Sequence, residues 1–154
     1  MTLFPHIVRV ALLATSVAFV GCSMPPKAAT PMMGSAGSVS FSAMLSSAAE
    51  VPVNTSTATG RLDATLDKAS NALRWTLTYS GLTGPATMGH FHGPALPGAN
   101  AGVVVPFPNA TSPGAGEAIL TPTQLSDLMA GKWYANVHTA ANPGGEIRGQ
   151  VMMK

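Results

Sequence analysis

The stretch ALRWTLTY, Ala72–Tyr79, alternates between apolar and polar side chains from its second residue onward. The apolar positions are Leu73, Trp75, Leu77 and Tyr79, and the polar positions between them are Arg74, Thr76 and Thr78. Side chains two residues apart point to the same face of a β-strand. The alternation therefore predicts a strand with one face in a core and the other in solvent, as is typical of antiparallel sheets.

The same period of two occurs on both sides of this stretch. It is found in Val39–Leu45, in Leu62–Leu66, in KWYANVHT (132–139) and in EIRGQVMM (146–153). GVVVPF (102–107) and GEAIL (116–120) are two shorter strand candidates. Residues that favour turns separate these segments, and the loop AANPGG (140–145) predicts a hairpin between the last two long ones.

One short helix is expected among the strands. Thr121 is a capping residue, Pro122 suits the first helical position, and Gln124 completes a capping box. Gly131 is expected to end the helix. About seven short strands and one helix indicate an all-β fold, an antiparallel Greek-key-like β-sandwich or barrel with one short helix.

The N-terminal segment has the pattern of an export signal. Met1–Arg9 carries one arginine and no acid, and an apolar run follows at Val10–Val20. AFVGCS (18–23) resembles the lipobox of bacterial lipoproteins, which predicts a signal peptide over 1–21 and lipidation of Cys22. The alternative is an ordinary signal peptide that is cut a few residues later, with Cys22 discarded.

The remaining chain divides into a tether and a domain. Residues 22–37 are rich in proline, alanine, glycine and serine, which predicts a flexible tether, and the folded domain is expected over 38–154. The residue after Cys22 is serine rather than aspartate, which by resemblance to proteobacterial lipoproteins favours the outer membrane. We therefore expect an exported protein that a lipid anchor holds to a membrane of the cell envelope.

Charge and cysteine content limit the possible functions. Basic and acidic residues are nearly balanced after residue 21, without a run of either sign, so nothing indicates binding to nucleic acid. Cys22 is the only cysteine, and its lipidation would leave no thiol for a disulfide or a metal site. Histidine then becomes the most obvious metal-binding side chain.

Three histidines form a candidate metal site. His90 and His92, in GHFHGPA (89–95), share one strand face, and His138 lies on the face of its strand opposite the apolar residues. All three are predicted to lie on the surface, outside the core. Three imidazoles without a thiolate or carboxylate favour copper over zinc, with water or the Met88 thioether as a fourth ligand. The alternatives are that the histidines only form hydrogen bonds that hold loops and that Met88 only packs on the surface.

Three charged residues are predicted to be further polar groups on the surface. Glu146 and Arg148 are two apart on one strand face, where they would form an exposed ion pair or attract an anion. Glu50 is expected to pair with Arg148 or to accept hydrogen bonds from backbone amides in a turn. No catalytic residues are predicted, because the chain shows no triad, paired-carboxylate, phosphate-loop or CxxC motif.

Several long segments together resemble one family. They are AEVPV (49–53), TATGRLDATLD (57–67), LRWTLTYSGLTG (73–84), MGHFHGPALPGANAGVVV (88–105) and LTPTQLSDLMAGKWYANVHTAANPGGEIRGQV (120–151). In this order they resemble the CHRD domain, named from chordin, from about Val39 to Val151. The resemblance implies a β-sandwich domain outside the cytoplasm, found in animal antagonists of bone morphogenetic proteins and alone in bacterial exported proteins.

A weaker similarity is to copper–zinc superoxide dismutases. His90, His92 and His138 match an H-x-H pair and a later histidine of their copper site, and Arg148 would suit the steering of superoxide. The chain departs from these enzymes because it lacks a fourth histidine, a zinc loop and a disulfide. Three functions therefore stay open: a copper-binding lipoprotein, a non-enzymatic protein-interaction or adhesion module of the envelope, and a dismutase-like enzyme.

Overall fold

The structure is a computed structural model that describes residues 37–154. The predicted signal peptide, Cys22 and nearly all of the tether lie outside the described residues. The strands are β1 (Ser38–Ser46), β2 (Thr59–Asp67), β3 (Ala72–Ser80), β4 (Ala86–His92), β5 (Val103–Pro106), β6 (Gly114–Ile119), β7 (Tyr134–Thr139), β8 (Ile147–Gln150) and β9 (Met152–Met153). One α-helix, α1, spans Pro122–Met129, and a 3-10 turn follows β1 at Ser47–Ala49.

The strands form one antiparallel sheet in the order β5-β4-β7-β8-β1-β2-β3-β6, and β9 adds to β1. The pairs β4–β7 and β1–β8 join strands that are far apart in sequence, as Greek-key connections do. The sheet curls on itself into a nearly closed barrel. The predicted all-β, antiparallel Greek-key-like sandwich or barrel with one short helix is confirmed.

The inner face of the sheet carries the predicted alternating residues. Trp75 packs edge-on against Phe91 with ring centroids 5.1 Å apart, and Phe91 also contacts Phe107 and Trp133. These aromatic rings join β3, on one side of the barrel, to β4 on the other. Burial of the apolar side chains of this core, the aromatic rings among them, is the main contribution to the stability of the barrel.

The predicted helix and hairpin are present. The Thr121 hydroxyl accepts from the Gln124 amide while the Gln124 side chain accepts from the Thr121 amide, so the capping box is complete. Gly131, which follows the C-cap residue Ala130, has φ +68°, a conformation that favours glycine. The segment 146–153 divides between two partners, because β8 pairs with β7 and β9 pairs with β1. Within 37–154, no helix has the length and apolar character needed to cross a membrane.

The outer face of β7, together with His92 of β4 and Arg148 of β8, is buried and not open to solvent, contrary to the prediction. Every residue of β7 is buried, including those opposite the core. Backbone carbonyls of two loops reach the outward side chains: Ala101, in the loop 93–102, contacts His92, and Pro143, in the loop 140–146, contacts His138. Two faces of this part of the sheet are therefore covered, one by the core and one by loops.

Candidate metal centre

The register of the strands brings the three histidines together. In the β4–β7 pair, Met88 lies opposite His138 and His90 lies opposite Asn136. One ring nitrogen of each histidine lies within 4.8 Å of those of the other two, and the nearest pair, His90 Nδ1 and His138 Nε2, is 3.2 Å apart. His92 and His138 are buried and His90 is half-buried, so the predicted surface position is wrong for two of the three.

Two backbone carbonyls determine which nitrogen each buried ring leaves available. His92 Nδ1 lies 3.0 Å from the carbonyl of Ala101, and His138 Nδ1 lies 2.9 Å from the carbonyl of Pro143. A carbonyl can only accept, so both Nδ1 atoms carry the proton and the neutral rings keep a lone pair on Nε2. The Nε2 atom of His92 is buried and has no hydrogen-bond partner.

The spacing of the nitrogens suits a shared metal ion. Two nitrogens bound at about 2.0–2.1 Å in tetrahedral geometry lie about 3.3 Å apart, close to the 3.2 Å between His90 and His138. Asn136 Oδ1 is a further acceptor, 2.9 Å from His138 Nε2. A group of acceptor atoms with one unpartnered buried nitrogen is the arrangement that a cation satisfies. The histidine cluster can therefore hold a metal ion.

The surroundings favour neutral imidazoles. Burial lowers the pKa of His90, and the nearby rings of His138 and His92 lower it further. Burial is also the main cause that lowers the pKa of His138, while the Pro143 carbonyl acts in the opposite direction. Neutral imidazole is the form that binds metals, so these rings would release few protons on binding at neutral pH.

A tyrosine and an arginine extend the cluster across the sheet. The Tyr134 ring stacks on His92 with parallel planes and centroids 4.8 Å apart. The guanidinium carbon of Arg148 lies 3.4 Å from the centre of the same Tyr134 ring. Tyr134 therefore fixes the plane of His92 and also holds Arg148 through a cation–π contact.

Met88 lies next to the histidine cluster in the strand register. It lies opposite His138 in the register, on the same face, and its side chain is 47 % exposed. A thioether ligand from Met88 remains a prediction.

The three charged residues predicted on the surface are all buried. Glu146 is 0 % exposed, Arg148 is 2 % exposed and Glu50 is 4 % exposed. They form no ion pair with one another within the described chain; its three salt bridges join Asp63 to Arg61 and to Lys154, and Arg74 to Glu117. The prediction of exposed groups is wrong because loops that are distant in sequence cover this face.

Glu146 accepts four hydrogen bonds from three separate segments. Its donors are Ser56 Oγ at 2.6 Å, Thr83 N at 2.8 Å, Thr83 Oγ1 at 2.7 Å and Thr139 Oγ1 at 2.6 Å. Burial alone would raise the pKa of Glu146, but these hydrogen bonds outweigh it and lower the pKa to about 2. The carboxylate therefore ties the segments around Ser56 and Thr83 to the loop that carries Pro143.

The pKa of Glu50 is shifted in the opposite direction to that of Glu146. Burial raises its pKa to about 7, although Arg148, the Val51 amide and the Asn136 side chain lower it. Its Oε1 atom has no hydrogen-bond partner. The carboxyl group is packed against Gly145, where an added Cβ would collide with it. Glu50 therefore lies beside Asn136 and does not belong to the histidine cluster.

Sequence reasoning missed the residues that support the histidines. Tyr134 and Asn136 alternate with the apolar residues of β7, and this alternation correctly predicts that they lie on the outer face. It does not predict their contacts with the histidines. Ala101 and Pro143 act through backbone carbonyls, which leave no signal in side-chain patterns.

The family follows from a comparison with known proteins. The family model of the CHRD domain matches residues 41–151. No curated protein and no solved structure shows significant similarity to the chain. The matched region contains the strands β2 to β8, the three histidines and the loops that cover them. The chain therefore belongs to the CHRD domain family.

Proposed function

We propose that this CHRD-domain protein binds one copper ion through His90, His92 and His138. The observation that carries the proposal is the Nε2 atom of His92, which is buried without a hydrogen-bond partner while Nδ1 is held by a carbonyl. An unpartnered buried acceptor costs about 1–3 kcal/mol, and a bound cation removes this cost. The role is metal handling or protection against redox damage in the cell envelope.

The donor set supports copper more than zinc. The cluster has three imidazoles, and neither a carboxylate nor a thiolate belongs to it among the described residues. Structural zinc sites are closed and usually contain thiolates, whereas imidazole sites follow an affinity order in which Cu(II) exceeds Zn(II). His90 is half-buried, which leaves one side of the cluster accessible for loading. Asn136 Oδ1 or water would supply a fourth donor.

The proposed location is a membrane of the envelope, with Cys22 as the lipid anchor. The support is the lipobox-like AFVGCS after an apolar run, followed by the tether that precedes the domain. A Cys22→Ser variant tests this directly. We expect the wild-type protein in washed membranes and the variant in the soluble exported fraction; retention of the variant in the membrane would reject the anchor.

Copper titration followed by electron paramagnetic resonance tests the metal site. We expect one equivalent of tightly held Cu(II) whose spectrum shows coupling to nitrogen. His138→Gln and His92→Gln should each lose the stoichiometric site while circular dichroism stays unchanged, because neither ring belongs to the apolar core. Lys132→Gln, a substitution outside the cluster, is the control. Absence of stoichiometric copper in the wild-type protein would leave the histidines as hydrogen-bonding residues and favour a protein-interaction module.

A further inference from the structure

A second candidate site lies on the same side of the sheet but contains no histidine. A hollow of about 340 Å³ is formed by the 3-10 turn after β1, the loop around Pro97 and the strand β8. Its polar lining consists of Glu50, Arg148 and Gln150, and its apolar walls include Val51 and Pro97. Its size is at the lower end of the range for small-molecule sites.

Arg148 brings a fixed positive charge to this hollow. Its Nη1 donates to Asn100 Oδ1 at 2.9 Å and its Nη2 donates to the Ala99 carbonyl at 2.6 Å. These bonds and the Tyr134 ring hold the guanidinium in one orientation. No carboxylate in residues 37–154 lies within 4.0 Å of it. A guanidinium has five N–H donors and its burial is costly without an anion, so Arg148 retains capacity for a carboxylate.

The other two polar groups are acceptors. Glu50, which is 4 % exposed, lines the hollow, and its side chain carries a carboxyl group. Gln150 donates from Nε2 to the carbonyls of Ala95 at 2.9 Å and Gly131 at 2.8 Å. Both amide hydrogens of Gln150 are thus engaged, and what it can offer a ligand is its carbonyl oxygen. The hollow therefore combines one cationic donor with two acceptors, and apolar surface lies beside them.

We propose that this hollow binds a small zwitterionic amino acid with an apolar side chain. The carboxylate of the ligand pairs with Arg148, and its ammonium group donates to Glu50 and Gln150. The apolar side chain packs against Val51 and Pro97. A free amino acid carries an ammonium group and a carboxylate close together. These two charges complement the Glu50 carboxyl and the Arg148 guanidinium, which line one hollow without forming a salt bridge with each other. This proposal does not depend on copper binding.

Titration of the wild-type protein with L-valine, observed through the ¹⁵N resonances of arginine Nε–H groups, tests the proposal. We expect the Arg148 resonance to shift saturably with a dissociation constant on the order of 1 mM. Isobutyrate, which lacks the ammonium group, and isobutylamine, which lacks the carboxylate, should each bind at least tenfold more weakly. Absence of a saturable shift with L-valine, or equal binding of L-valine and isobutyrate, would overturn the proposal.

Variants locate the binding. Arg148→Lys and Glu50→Gln should each weaken L-valine binding at least tenfold. Arg74→Lys, the same change in an exposed arginine paired with Glu117, should leave it unchanged. Unchanged binding by a folded Arg148→Lys or Glu50→Gln variant would also overturn the proposal. If Arg148→Lys does not fold, the ligand series on the wild-type protein still decides the question.

Discussion

Replacing Glu146 by glutamine tests whether one buried carboxylate holds the loops over the histidine cluster. Glutamine has nearly the same shape but carries no charge and has one acceptor oxygen instead of two. Glu146 accepts four hydrogen bonds from Ser56, Thr83 and Thr139, through both of its carboxylate oxygens. In the variant, the donors that contact one of these oxygens would face an amide NH2 group, so some of the four hydrogen bonds are lost. We expect the free energy of unfolding to fall and the loop that carries Pro143 to loosen.

The magnitude follows from the pKa of Glu146. A decrease of this pKa from 4.5 in the unfolded chain to about 2 in the folded protein corresponds to about 3 kcal/mol of stability at neutral pH. Because the folded pKa is the lower one, this stability is present above pH ~4.5 and is lost as the pH falls through ~2. The loss is a large part of the about 5–15 kcal/mol that is typical of a single domain.

Urea unfolding, followed by the fluorescence of the buried Trp75 and Trp133, measures this loss. We expect Glu146→Gln to be less stable by about 3 kcal/mol at pH 7, with the difference shrinking between pH ~4.5 and ~2. Glu117→Gln is the matched control and should cost less than about 1 kcal/mol, since Glu117 forms an exposed ion pair with Arg74. A loss below about 1 kcal/mol for Glu146→Gln, or one that stays constant down to pH ~3, would refute the reasoning.

Two further substitutions test the packing beside this carboxylate. Glu50→Gln should be more stable than the wild type at pH 8, by up to about 3 kcal/mol, and equally stable near pH 4.5. The folded pKa of Glu50 is higher than the unfolded one, so the stability that protonated Glu50 supplies is complete below pH ~4.5 and is lost as the pH rises through about 7. Equal free energies of unfolding for the wild type and Glu50→Gln at pH 8 would contradict this. Gly145→Ala should lower the melting temperature, because φ is +129° and the new Cβ would collide with the Glu50 carboxyl. Gly144→Ala, which meets no atom within 4 Å, should change it little, and similar melting temperatures for both alanine variants would speak against the collision.

Much of the fold could be predicted because its signals are local. The alternation in Ala72–Tyr79 and its neighbours reflects a sheet with one buried face, and the strands occur where this period predicts them. The capping box at Thr121 also depends on neighbouring residues, and it is complete in the structure. The positions of His90 and His92 on one strand face follow from the same local geometry.

The pairing of strands and the covering of their outer face were decided only by the tertiary structure. The contact between His90 and His138 needs β4 to pair with β7, across 48 positions of sequence. Charged residues such as Glu146 are expected on the surface because burying a lone charge costs several kcal/mol. Hydrogen bonds from Ser56, Thr83 and Thr139 offset that cost, and only the folded chain brings these donors together. The sequence by itself therefore determined the strands and which side chains share a face, whereas long-range pairing and loop packing decided which of them are buried and what they contact.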